Sequence, residues 1–245
     1  MHRFYACSSS GDNSCFTLDG EDSFHAVRVL RLQPGDHAEV ISEGKRYLSE
    51  LEDVSPSAVI LRALETLPST EPGLSVTLFQ GLPKGDKMDL IVQKAVELGA
   101  IRIVPVVFSR SIVHLNEKDA VKKVERWQKI AREAGKQSGR CIIPKIEKVT
   151  SFSEVTRLFS ECEQVVVPWE ECTDGGPLSF VNRFPSLSSL GIVIGPEGGI
   201  SSNEMDHLLS ARCTAITLGK RILRTETAGL AAISAFFSLY GEMEL

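Results

Sequence analysis

Two stretches near the carboxyl end hold the residue types that could do chemistry. Gly195-Pro196-Glu197-Gly198-Gly199 follows the apolar run Ile192-Val193-Ile194. Leu218-Gly219-Lys220-Arg221-Ile222-Leu223-Arg224-Thr225-Glu226-Thr227-Ala228 follows another short apolar run. Three glycines and a proline within five residues make a backbone that approaches a ligand closely and offers bare N–H groups. Each stretch reads as a loop at the carboxyl end of a parallel strand, which is where open α/β sheets bind ligands. The spacing is neither that of a phosphate-binding P-loop nor the G-x-G-x-x-G of a dinucleotide fold. No G-x-S-x-G marks a serine hydrolase. The plainer alternative for the glycine loop is a strand-to-helix turn, because Ser201-Ser202-Asn203-Glu204 has the form of a capping box.

The elements that must position these loops are legible from periodicity. From residue 74 apolar runs alternate with helical patterns, which predicts a mainly parallel α/β sheet. Strands are expected at 74–79, 101–107, 164–167, 190–194 and 215–218. Asp86 is set to cap a helix with Met88, Ile91, Val92, Ala95 and Leu98 on one face, ended by Gly99. Asn116 is set to cap a longer helix with Val121, Val124, Trp127, Ala131 and Ala134 inward, so Trp127 reads as core. A last helix over 227–240 is apolar nearly all round and must be buried. Residues 1 to 68 read instead as short alternating strands (38–42, 46–51, 58–64) with one helix over 22–32. Pro68-Ser69-Thr70-Glu71-Pro72-Gly73 has the composition of a linker, dividing the chain into domains at 1–70 and 73–245.

Composition narrows the class. With 245 residues and 42% hydrophobic content the chain can bury a real core. No apolar run is long enough to span a bilayer, and Met1-His2-Arg3-Phe4-Tyr5 is not a signal peptide. The six cysteines, Cys7, Cys15, Cys141, Cys162, Cys172 and Cys213, form no C-x-x-C pair, which suits a reduced cytoplasmic protein and no metal site. A net charge of −5 speaks against a general nucleic-acid binder. It leaves local basic clusters: Arg28 with Arg31; Lys122, Lys123, Arg126, Lys129 and Arg132; Lys136 with Arg140; and Lys220, Arg221 and Arg224. An enzyme that holds a nucleic acid in one local patch is not excluded, and the acidic remainder would keep its non-specific binding weak. Lys122 and Lys123 read more simply as a solvated helix face.

Further motifs agree with the two loops. Lys84-Gly85-Asp86-Lys87-Met88 leads to Gln93-Lys94-Ala95-Val96-Glu97-Leu98-Gly99. Arg110-Ser111, Trp127-Gln128-Lys129-Ile130-Ala131 and Gln137-Ser138-Gly139-Arg140 follow, while Arg3-Phe4 and His25-Ala26-Val27-Arg28-Val29-Leu30-Arg31 stand at the start. In this order, over nearly the whole chain, these residues resemble the RsmE family of 16S rRNA (uridine-N3) methyltransferases, within the SPOUT class. The resemblance implies a SPOUT-like, mainly parallel α/β sheet with a deep C-terminal trefoil knot, plus a small N-terminal PUA-like β-barrel domain. It also implies S-adenosyl-L-methionine as cofactor, 16S rRNA of the small ribosomal subunit as partner, and a homodimer. The knot rests on the resemblance alone, since periodicity says nothing about threading.

The same resemblance implies site roles. The donor would lie between the loop Val166, Val167, Pro168, Trp169 and Glu170, then Gly195, Pro196, Glu197 and Gly198, then Leu218, Gly219, Ile222 and Leu223, with Thr227 beside them. Leu218, Ile222 and Leu223 would face its adenine ring. Arg224 is the first candidate for catalysis, because methylating uridine N3 removes the imide proton and puts charge on O2 and O4, which a fixed guanidinium stabilises. Its alternative is a salt bridge with Glu197 or Glu226. Glu197 would act as general base if burial raised its pKa; otherwise it anchors a helix start or holds Arg224. Thr225 and Thr227 also suit backbone groups at the start of the last helix. Arg3, Arg28, Arg31, Arg110, Arg132, Gln137 and Arg140 are the RNA-contact candidates, with Ser138 near them. Ser109 stands where many members of the family carry an acidic residue, which leaves the local charge balance open, and Lys136 stands where the family often has Glu, which would make the patch more basic. His25 reads as a packed or hydrogen-bonded residue more readily than as a catalytic one. Two other functions stay open: a SPOUT enzyme methylating a ribose 2′-oxygen of tRNA or rRNA, and a non-catalytic RNA-binding protein.

Overall fold

The computed structural model describes residues 1–55, 57–113 and 115–244. They sort into two compact units. One holds Met1–Glu71 with Gly135–Ile142; the other holds Pro72–Ala134 and the chain from Ile143 onward. The break between them falls at Glu71/Pro72, and the later segment Gly135–Ile142 belongs with the first unit. The reason is a set of long-range polar ties. Arg140 Nε lies 2.9 Å and Nη2 2.6 Å from Glu71 Oε2, and Glu71 Oε1 accepts the backbone N–H groups of Cys141 and Ile142. Lys136 Nζ donates to both carboxylate oxygens of Asp22, and Tyr5 OH donates to the Arg140 carbonyl.

The first unit contains β1 (Arg3–Tyr5), β2 (Ser8–Ser9), β3 (Cys15–Thr17), α1 (Gly20–Phe24), β4 (His37–Ser42), β5 (Lys45–Ser55) and β6 (Ala58–Leu67). Its sheet runs β1-β4-β5-β6-β3-β2. The two ends of that order are joined by only Ala6-Cys7, so the sheet curls round on itself. Alternate residues Val59 and Leu61 of β6 point inward with Phe16, Val40 and Leu51. Asp19 caps α1 by accepting the Asp22 N–H at 2.8 Å. The expected regular helix over 22–32 does not form. His25–Val29 is a π-helical turn closed by Leu30 N–H on the His25 carbonyl, and Arg31 adopts a left-handed φ of 57°.

The second unit contains β7 (Ser75–Gly81), α2 (Lys87–Leu98), β8 (Arg102–Val107), the bulk of α3 (Glu117–Ser138), β9 (Lys145–Ile146), β10 (Thr150–Ser151) and α4 (Phe152–Val155). There follow β11 (Gln164–Pro168), α5 (Pro177–Arg183), β12 (Ser189–Ile194), α6 (Ser202–Ser210), β13 (Thr214–Ile216) and α7 (Thr225–Leu239). The sheet is parallel throughout, in the order β10-β8-β7-β12-β11-β13, with β9 beside β8. Strand period two sends successive residues to opposite faces. Leu78, Val166 and Ile192 pack with Met88, Ile91 and Phe236 on one side. Phe79, Val167 and Val193 pack with Phe159, Met205 and Leu208 on the other. Sheets covered on both faces read as continuous apolar runs, as β11 and β12 do.

The helix signals mostly hold. Asn116 Oδ1 accepts the Asp119 N–H, and Gly99 ends α2 with a left-handed φ of 117°. Asp86 occupies the cap position of α2 without a side-chain cap bond. Trp127 is core, its indole N–H donating to Asp89. Helix α7 begins at Thr225, a little before the expected 227. It is buried on one side through Gly229, Ala232, Ile233, Phe236 and Phe237; Leu230, Ala231 and Ala235 are only half-buried. Strand β13 is the outer edge, yet α7 packs on β12 and β7, so residues 217–224 carry the chain back across the sheet.

Candidate functional site

Because β11, β12 and β13 are parallel, their following loops emerge at one edge. They enclose a cavity of about 830 Å³. The loops are tied to one another. Trp169 N–H donates to the Ile216 carbonyl and Thr217 N–H to the Gly175 carbonyl, both at 2.9 Å. Thr225 Oγ1 donates to the Gly195 carbonyl at 2.6 Å and accepts from buried Gln80 Nε2 at 2.9 Å. Thr225 therefore does more than serve the start of its own helix. It pins the glycine loop to α7.

Of the residues expected to hold the donor, Pro168, Gly195, Pro196, Glu197, Gly198, Leu218, Gly219, Ile222 and Leu223 line this cavity. Val166 and Val167 do not; strand alternation turns both side chains into the cores above and below the sheet. Thr227 is exposed outside the cavity, its N–H bonded to the Arg224 carbonyl. Trp169 and Glu170 of the first expected loop line the cavity too, while Thr217 and Lys87 line it and had not been picked out. The size lies within the roughly 300–1,000 Å³ usual for small-molecule sites. Bare backbone at Gly195, Gly198 and Gly219 and the 82% exposed Ile222 suit a ligand with both polar edges and an apolar ring.

The charged groups are arranged otherwise than the sequence led one to expect. Glu197 Oε1 accepts from Lys87 Nζ and from the Lys84 backbone N–H, both at 3.0 Å. Desolvation pushes the Glu197 carboxyl up, but Lys87 and the backbone donors together outweigh it and hold it below the usual carboxylate range. The condition for a general base, a raised pKa, is therefore not met. Glu226 also pairs with Lys87, at 3.3 Å. Arg224, the N-cap residue of α7, is exposed on the cavity and makes no ion pair with Glu197, Glu226 or any other described residue.

The RNA-contact candidates divide between the units. Arg28 and Arg31 are exposed in the first unit, as are His25 and Gln137. His25 is thus not a packed residue. Arg3 is committed to Glu39, at 2.8 and 3.0 Å, and Arg140 to Glu71; Lys136 is neutralised by Asp22. Arg110 and Arg132 are exposed in the second unit, where Arg110 Nη1 reaches the Gly198 carbonyl at 3.3 Å. Ser109 is bound by Glu204, which takes its N–H at 2.7 Å and its hydroxyl at 2.9 Å while closing the capping box with Ser201. That bond seats Arg110 against the glycine loop. A Cβ at Gly198 would lie 2.9 Å from both the Arg110 Cβ and carbonyl oxygen. Gly198→Ala should accordingly cost about 1–3 kcal/mol, read as a lower midpoint in thermal or urea unfolding. An unchanged midpoint would show that the contact yields freely.

Among the described residues no group of three or more His, Cys, Asp or Glu is placed to hold a metal ion, and no helix is long and apolar enough to cross a membrane.

Comparison with known proteins agrees with this geometry. Residues 70–237 match the family model described as an RNA methyltransferase domain, and residues 18–64 the one described as an RNA methyltransferase PUA domain. The chain is 41% identical over 226 residues to the ribosomal RNA small subunit methyltransferase E of Bacillus subtilis, covering 90% of this chain and 88% of that protein. It is 32% identical over 235 residues to the Aquifex aeolicus protein of the same name, covering 96% and 98%. A solved structure of the Neisseria gonorrhoeae methyltransferase E, bound to S-adenosyl methionine, superposes with a TM-score of 0.82 at 32% identity over 98% of both chains. With a small β unit before a parallel α/β sheet and a cavity between its loops, this chain belongs to the ribosomal RNA small subunit methyltransferase E family.

Proposed function

We propose that this protein is an S-adenosylmethionine-dependent methyltransferase acting on N3 of one uridine in the 16S RNA of the small ribosomal subunit. The observation that carries the reading is the cavity at the ends of β11, β12 and β13, with Arg224 exposed and unpaired at its side. Bound there, S-adenosylmethionine supplies an electrophilic methyl group. The backbone at Gly195, Gly198, Leu218 and Gly219 would hold it, and Ile222 and Leu223 would cover its ring.

The remaining work falls to the chain's own side chains. A uridine must be splayed out of its RNA context, at a cost of a few kcal/mol, before N3 can be reached. Arg224 then stabilises the charge on O2 and O4 as the imide proton passes to solvent water at the open side of the cavity, and N3 takes the methyl group while the donor leaves as S-adenosylhomocysteine. Glu197 is already bonded by Lys87 and Lys84, so it acts as a loop anchor rather than as a proton acceptor. Exposed Arg28, Arg31, Arg110 and Arg132 would meet phosphates. The half-buried apolar side of α7, with Leu239 at 38% exposure, supports a homodimer, in a cytoplasmic enzyme.

The test is methyl transfer from labelled S-adenosylmethionine to small subunits lacking the modification, followed by nucleoside analysis. The expected product is 3-methyluridine. A 2′-O-methylated nucleoside would overturn the choice of atom. No transfer together with no donor binding would leave an RNA-binding protein.

A further inference from the structure

Lys87 is an unusual residue for its place. It opens α2, where the helix dipole disfavours a cation. Its ammonium is held instead by two carboxylates from distant parts of the chain: Glu197 of the glycine loop at 3.0 Å, and Glu226 of the first turn of α7 at 3.3 Å. Glu226 Oε2 is buried and makes no hydrogen bond, so the charge of Lys87 is what offsets it. Glu197 is further fixed by the Lys84 N–H, in the approach to the same helix. One cation thus serves two acids beside a cavity that Lys87, Glu197 and Arg224 all line.

We propose that Lys87 is a positioning residue that neutralises Glu197 and Glu226 and so leaves Arg224 as an uncompensated cation facing the substrate. This rests on the function proposed above. Two physical effects make the arrangement matter. Glu197 lines the same cavity as Arg224, and without Lys87 its carboxylate is free to take the guanidinium as its partner. A guanidinium so engaged has fewer donors to offer the uridine oxygens. Two unneutralised carboxylates also raise the energy of a uridine anion formed beside them, opposing the stabilisation on which the reaction depends. The cationic donor feels the opposite effect, because negative charge near the cavity favours it. The role therefore separates turnover from donor binding.

The experiment compares four full-length proteins, wild type, Lys87→Met, Lys87→Arg and the triple variant Lys87→Met/Glu197→Gln/Glu226→Gln. Single-turnover methyl transfer, donor affinity by calorimetry and thermal midpoint are measured for each. Lys87→Met should lose about 10–100-fold in the transfer rate at saturating donor and RNA, with donor affinity unchanged or tighter. Lys87→Arg should keep most of the rate. The triple variant should recover it, since glutamine retains the acceptor for the Lys84 N–H while removing both charges. Wild-type rate in Lys87→Met would overturn the proposal. So would a slow triple variant, which marks Lys87 as a structural tie only. A wild-type protein that binds donor and transfers to no RNA would overturn the functional reading itself, and is seen separately in the first arm.

Discussion

Arg224→Ala should lower the rate of methyl transfer by about 10²–10³-fold, the usual loss when one donor to a developing oxyanion is removed. Donor affinity should stay close to wild type, because the cavity presents backbone and apolar side chains from three loops besides this guanidinium. Position 224 is the N-cap of α7 but makes no side-chain cap bond, so truncation there should leave the helix start intact. The helix entry is held instead by Thr225 on the Gly195 carbonyl. Lysine at 224 should restore only part of the rate, since it supplies a point charge without the paired planar donors of arginine. Calorimetry with the donor alone and single-turnover transfer with RNA separate the two quantities. Full activity in Arg224→Ala would remove the residue from catalysis.

Arg140→Ala should act on stability. Arg140 is 4% exposed, and its partner Glu71 is nearly as buried. Glu71 also receives the N–H groups of Cys141 and Ile142, so it is the hub that binds the segment Gly135–Ile142 to the first unit. Removing one partner of a buried pair leaves an uncompensated charge and costs about 3–5 kcal/mol. For a unit of this size that is a fall of roughly 12–40 °C in its unfolding midpoint. Differential scanning calorimetry would show it as a loss confined to one transition. An arginine that served only to hold RNA phosphate would leave the melting curve unchanged and weaken RNA binding instead, and that result would refute the structural role.

Much of the fold was legible because its signals are local. The parallel sheet followed from apolar runs such as Val165-Val166-Val167 and Ile192-Val193-Ile194 alternating with helical periodicity. The capping box at Ser201 and the stop at Gly99 were visible because each involves residues a few positions apart. Helix α1 was harder. The pattern from Asp22 to Leu32 is helical in spacing, but the chain widens there into a π-turn and then a left-handed Arg31, and hydrophobic period cannot distinguish those. The short strands β1, β2, β3, β9 and β10 carry too few residues for any period to be counted.

The place of the cavity was legible too, at the carboxyl ends of strands, and the assigned residues that line it either end a strand, as Pro168 does, or follow one. Val166 and Val167 lie outside because their side chains point into the cores on the two faces of the sheet. What the order of residues settled by itself is therefore the class of fold, the position of the glycine loop and the residue types gathered at it. Which charge meets which was decided only in three dimensions. Glu197 and Lys87 are far apart in the chain, as are Glu71 and Arg140, and no local pattern links them. An ion pair depends on distances of a few ångströms fixed by packing the whole sheet. Tertiary structure thus gave the two acids to Lys87, left Arg224 exposed, and turned Arg140 from an expected RNA contact into a latch.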